Sequence, residues 1–107
     1  MGIYSIIKRE FAFLEKQYGF TIDLQQKHGS YYFIVWKNER IAIKPLYDLV
    51  DKPHMRILTY DADSLGTAYD VTEYWEEFAL GSGTPHERIH LAAEWLAKAI
   101  IEGRIGI

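Results

Sequence analysis

The sequence predicts one α+β domain over residues 1–107, a four-stranded antiparallel meander with a helix before it and two after it, in the order α-β-β-β-β-α-α. Two patterns carry that expectation. Near both ends of the chain, apolar residues recur at steps of three and four, the spacing of a helix that buries one stripe. Between them lie four short runs rich in β-branched and aromatic residues, separated by turn signals. Composition agrees. A chain of 107 residues that is 49% apolar and 25% charged suits a single globular core, and a chain of this size buries roughly two-thirds of its unfolded surface.

The first helix is expected over 3–18. Ile3, Ile7, Phe11, Leu14 and Tyr18 share a face, Lys8, Arg9, Glu15, Lys16 and Gln17 take the wet side, and Gly19 ends it. The first strand, 21–27, alternates Ile22 and Leu24 against Asp23 and Gln25, and His28-Gly29 is a turn signal. The second, 30–37, is aromatic and β-branched throughout, so both its faces are expected to be covered. Asn38-Glu39 reads as a hairpin connection. The third strand, 40–44, alternates Ile41 and Ile43 with polar neighbours. Pro45 has no N–H to give a ladder, so it is expected at that strand's end or at a sheet edge. A loop leads to the fourth run, 54–60, and a second loop spans 61–69. A second helix is expected over 71–80, with Asp70 as its cap, Glu73 completing a capping box, and Val71, Trp75 and Phe78 on the buried face. Gly81-Ser82-Gly83 is a joint. The third helix opens with Thr84 as cap, Pro85 at the first position and Glu87 at the third. Its stripe is Ile89, Ala92, Ala93, Leu96, Ala99 and Ile100, and Gly103 stops it. With one stripe each, the helices are expected on one face of the sheet.

The net charge of −3 hides an asymmetry. Residues 1–56 hold nine Lys/Arg against six Asp/Glu, and residues 88–107 hold three against two. Residues 57–87 hold no Lys or Arg, but they hold Asp61, Asp63, Asp70, Glu73, Glu76, Glu77 and Glu87. Such a stretch repels phosphate backbones, so nucleic acid is not an expected partner. No apolar run approaches the ~20 residues that cross a bilayer, so no membrane partner is expected. The start of the chain, with Lys8, Arg9 and Glu10 after Ile7, does not read as a secretion signal. The absence of cysteine excludes disulfides, cysteine–zinc sites and thiol catalysis, and with that a cytoplasmic address is expected.

One chemical motif stands out. His86-Glu87-Arg88-Ile89-His90 matches H-E-x-x-H, in which two imidazoles one helical turn apart hold zinc while the Glu handles a water proton. That makes His86 and His90 candidate metal ligands, Glu87 a candidate catalytic residue and zinc a candidate cofactor. Catalytic zinc needs a third protein ligand. Glu94 cannot join both histidines, because eight residues of helix separate it from His86 by about 12 Å. The candidates elsewhere are His54, Asp61, Asp63, Glu73 and Glu77. The competing reading has no cofactor: Glu87 stands where a capping-box acid stands, and both histidines lie off the apolar stripe. Asp61-Ala62-Asp63-Ser64-Leu65-Gly66 hints at a calcium loop but lacks its fifth and twelfth ligands. There is no glycine-rich phosphate loop and no G-x-S-x-G.

Tyr60, Tyr69, Tyr74, Trp75 and Phe78 are interleaved with the acidic run. Tyr and Trp carry much of the binding energy at protein interfaces, and a charged field steers the encounter. The leading expectation is therefore a non-enzymatic module that captures a basic protein through Asp61, Asp63, Tyr69, Asp70, Glu73, Tyr74 and Glu77. A small zinc hydrolase is the alternative. A homodimer is a third reading, with the aromatic second strand or the Tyr/Trp cluster meeting its own copy.

The opening Phe13-Leu14-Glu15-Lys16-Gln17-Tyr18-Gly19-Phe20 resembles small bacterial proteins whose first helix ends F-L-x-x-x-Y-G-F and is followed by a strand meander. Some of these look like immunity proteins that neutralise polymorphic toxins. The resemblance covers about the first 60 residues and implies the helix-then-meander order. It also implies an immunity-like role against a basic protein such as a nuclease. It assigns no functional residue.

Overall fold

The structure is a computed structural model that describes residues 2–49, 54–64, 66–67, 70–75 and 83–107. Helices α1 (Ile3–Glu10) and α2 (Phe13–Tyr18) precede strands β1 (Thr21–His28), β2 (Tyr31–Lys37), β3 (Ile41–Asp48), β4 (His54–Asp61) and β5 (Thr72–Tyr74). Helix α3 (Pro85–Ile101) follows. The strands form one antiparallel sheet in sequence order, β1-β2-β3-β4-β5. The α+β class and the meander are as expected from the sequence; five details are not.

The expected first helix is two. At Phe11 and Ala12 the backbone tightens, and three-residue bonds replace the helical ladder: Ala12 N–H to the Arg9 carbonyl at 3.4 Å and Leu14 N–H to the Phe11 carbonyl at 3.1 Å. The break lets Phe11 and Leu14 both bury fully against the sheet. Phe11 packs against Phe13 and Trp36 with ring centroids 6.3 and 5.9 Å away. Gly19, at φ 72°, turns the chain out of α2 into β1.

The alternation expected in β1 is interrupted by a bulge at Asp23. Ile22 lies opposite Trp36 and Leu24 opposite Val35, so the two apolar residues face opposite sides of the sheet. β1 is an edge strand, exposed along its whole length.

Pro45 does not end its strand. β3 runs on to Asp48 between β2 and β4, and Pro45 sits in the middle of it. The β2–β3 pairing skips the two positions around Ile34, resuming between Phe33↔Leu46 and Trp36↔Ile43 in the same register. A proline opposite Ile34 offers no N–H to its carbonyl, and the ladder opens there.

The fourth and fifth corrections lie at β5. Residues expected to begin a second helix, capped by Asp70 and Glu73, instead form a strand on β4, with Thr72 opposite Thr59 and Tyr74 opposite Ile57. Among the described residues the sheet therefore has five strands rather than four. The rest of the expected helix, 76–80, lies outside the described residues. A β-branched and aromatic stretch beside the open edge of β4 gains ladder bonds, and these outweigh a local cap signal.

The helices cover one face. Ile34, Trp36, Ile43, Tyr47, Met55 and Ile57 from the sheet pack under Ile7, Leu14, Ile89, Ala92, Leu96 and Ala99. Trp36 Nε1 donates to Glu15 Oε1 at 3.0 Å, tying α2 to the sheet. The opposite face holds a smaller buried cluster of Phe33, Val35, Ala42, Leu46 and Leu58, flanked by Tyr31, Tyr60 and Val71. Both faces of β2 are thus covered, as its composition predicts.

Candidate functional site

The residues singled out by the sequence gather in two places. The first is the connection from β4 to β5. Asp61 closes β4 opposite Ile41, and Ala62 N–H donates to the Arg40 carbonyl at 3.0 Å. The turn beyond is held by Ser64 N–H on the Asp61 carbonyl at 3.0 Å and by Gly66 N–H on Ser64 Oγ at 3.2 Å. Gly66 lies against the Tyr60 ring, where an added Cβ would stand 3.2 Å from Cζ. Gly66 therefore brings the connection back over Tyr60, on the face opposite the described helices. Asp61, Asp63 and Asp70 are exposed on this connection, and none forms an ion pair among the described residues. Burial holds the Tyr60 hydroxyl above its ordinary pKa, and the charges of Asp23 and Asp70 add to the effect.

The other expected partner-binding residues behave differently. Glu73 is drawn to Arg56 Nη1 at 3.5 Å, so a first-half cation offsets it. Tyr74 turns into the helix-side core, its ring centroid 5.1 Å from that of Trp95. Trp75, expected on the buried face of a helix, is 46% exposed, because a strand alternates its faces where a helix would not. Tyr69 and Glu77 lie outside the described residues. For the homodimer reading, β2 already has a strand on each edge and Tyr74 is turned inward. Of the Tyr/Trp cluster, Trp75 remains exposed.

The second place is the seam between α1 and α3. His90 Nδ1 meets Glu10 Oε1 at 2.5 Å, and His90 Nε2 meets Glu94 Oε1 at 2.7 Å. His86 Nε2 lies 3.6 Å from Glu10 Oε2 and accepts from Arg9 Nη2 at 3.1 Å. Glu10 is the residue that sequence reasoning missed. It is 80 residues from His90 in the chain, and no local spacing connects them. A small groove of about 220 Å³ runs beside this cluster, floored by Phe13, Ala93 and Ala97.

The seam has the chemistry of an ionic tie. With a carboxylate on each ring nitrogen, His90 is suited to the imidazolium form, which donates from both. Its hydrogen bond to Glu10 raises its pKa, against an opposing contribution from burial, and Glu94 adds to the rise. Burial pushes the Glu10 carboxyl up, but His90, Arg9 and His86 together hold it below its ordinary value. A nitrogen that accepts from an arginine, as His86 Nε2 does, is not free for a metal. Among the described residues none of the expected third ligands joins the pair: His54 lies 3.9 Å from Asp48 on the sheet, and Glu73 lies beside Arg56. Among the described residues no group of three His, Asp or Glu is arranged to hold a metal ion. Glu87 serves the helix start. Its N–H donates to Thr84 Oγ1 at 3.3 Å, and its side chain folds back over Gly83, where an added Cβ would collide with it.

No family model, curated protein or solved structure matches the chain.

Proposed function

We propose that this domain is a non-enzymatic binding module for a basic protein, the role an immunity protein plays against a nuclease toxin. The observation that carries the reading is the set of three exposed carboxylates, Asp61, Asp63 and Asp70, on one connection, none of them in an ion pair among the described residues. An unpaired acidic surface raises the local concentration of a cationic partner and accelerates docking. Exposed Trp75, next to β5, offers an aromatic anchor beside it. Glu73 and Tyr74 leave the proposed surface, since one is paired with Arg56 and the other is packed, partly buried, against the helix-side core.

The test measures association with a basic ribonuclease by stopped-flow fluorescence between low and physiological salt. The wild type should associate faster at low salt. Replacing Asp61, Asp63 and Asp70 by Lys should slow association about tenfold or more and flatten the salt dependence. Equal rates for the two proteins would remove the acidic surface from the mechanism. The zinc-hydrolase alternative draws less support, because His90 is occupied by carboxylates on both sides and Glu87 is turned to the cap. Dialysis against zinc should leave no stoichiometric metal on the protein, and a one-to-one complex lost in His90→Ala would revive that alternative.

A further inference from the structure

The face of the sheet opposite the described helices carries two cations from adjacent strands. Lys44 lies opposite Leu58 and Arg56 opposite Leu46, so the two are diagonal neighbours over the cluster of Phe33, Leu46 and Leu58. Lys44 Nζ stands 4.1 Å from the Phe33 ring centroid, and the Arg56 guanidinium stands 5.7 Å from that of Tyr31. Among the described residues Lys44 has no carboxylate within ion-pair distance. Among the described residues Arg56 pairs with Glu73, at 3.5 Å from Nη1, and its buried Nε has no hydrogen-bond partner.

Two partly buried like charges and an orphaned donor are a costly arrangement. Burial, and then the charge of Arg56, holds the Lys44 ammonium below its ordinary pKa, a second sign of uncompensated positive charge. The edge of a guanidinium formed by Nε and Nη2 is the one that binds a carboxylate or phosphate through two parallel bonds. In Arg56 Glu73 takes the other end, and this edge is unused.

We propose that Lys44 and Arg56 form a binding site for a small oxyanion, a carboxylate or phosphate group. The anion lies along the Nε–Nη2 edge of Arg56 and takes its third contact from the Lys44 ammonium. Phe33 and Tyr31 wall the site and exclude water from it. Glu73 is a competitor for the guanidinium rather than part of the site.

Thermal unfolding at pH 7 in sodium phosphate and in sodium acetate, each against sodium chloride at matched ionic strength, tests this. One or both oxyanions should raise the midpoint in a saturable way. A response to phosphate alone assigns phosphate, and an acetate response of similar size assigns a carboxylate. Lys44→Met should cut the response about fivefold or more, and Arg56→Met should do the same. Lys44→Met should also raise the midpoint in chloride, because it removes a crowded charge yet keeps the contact with Phe33. A purely structural lysine would instead lower it. Glu73→Gln should lower the half-saturating concentration about threefold. The proposal falls if neither oxyanion exceeds chloride, if Lys44→Met keeps the full response, or if that variant is destabilised in chloride.

Discussion

At the scale of single residues, charge and hydrogen-bonding capacity decide what each side chain does. His90 is the clearest case. Its pKa is raised above the ordinary 6.5 in the folded chain, so its contribution to stability is fully present below that value and fades as pH rises through the raised one. Glu10 has the opposite sign: its lowered pKa gives stability above 4.5 that fades as pH falls through the folded value. The tie is therefore strongest between the two. The midpoint difference between wild type and His90→Gln should be largest near pH 5.5 and should shrink by pH 9; a difference that grows with pH would contradict the pairing. The histidine spacing was legible in the sequence but its meaning was not, because Glu10 reaches it through the packing of α1 on α3. Pro45 shows the same limit. A missing N–H is plain from the residue type, yet whether it ends a strand or opens one ladder in mid-sheet depends on what lies opposite.

At the scale of elements, periodicity decides, and its reliability depends on length. Helix α3 was legible in full, because seventeen residues with a cap, a proline at the first turn and a sustained stripe allow one answer. Its cap is testable. Thr84→Ala should cost about 0.5–2 kcal/mol in urea unfolding with an unchanged slope, whereas Thr84→Ser should cost little. The stretch 70–75 is ambiguous along the chain because it is short. Asp70 and Glu73 have the spacing of a capping box, while Val71, Thr72 and Tyr74 have the residue types of a strand, and only the free edge of β4 breaks the tie. Tyr74 faces the core and Trp75 faces solvent for that reason alone. The break between α1 and α2 has a similar origin. The apolar spacing from Ile3 to Tyr18 fits one straight helix, but burying both Phe11 and Leu14 against a twisted sheet needs a tighter turn between them.

At the scale of the whole molecule, the sheet separates a large core under the described helices from a smaller buried cluster on its other face. Stability should follow that division. Leu96→Ala, fully buried under the helices, should cost about 2–5 kcal/mol, a large share of the roughly 5–15 kcal/mol typical of a whole domain. Leu24→Thr on the exposed β1 should stay within about 0.5 kcal/mol, as urea denaturation would show. The same division separates the charges. Lys44 and Arg56 share the face opposite the described helices with Leu46 and Leu58, whereas Asp61, across from Ile41, closes β4 on the helix-covered side.

Residue order by itself determined the α+β class, the meander, the position and caps of α3, and the doubly covered β2, since each follows from period, residue type or a cap within a few positions. Five strands rather than four, the inward turn of Tyr74, the meeting of Glu10 with His90 and the crowding of Lys44 against Arg56 were decided only in three dimensions. Each depends on a neighbour brought from elsewhere in the chain, and a pattern read along one segment holds no information about the edge or face that will lie against it.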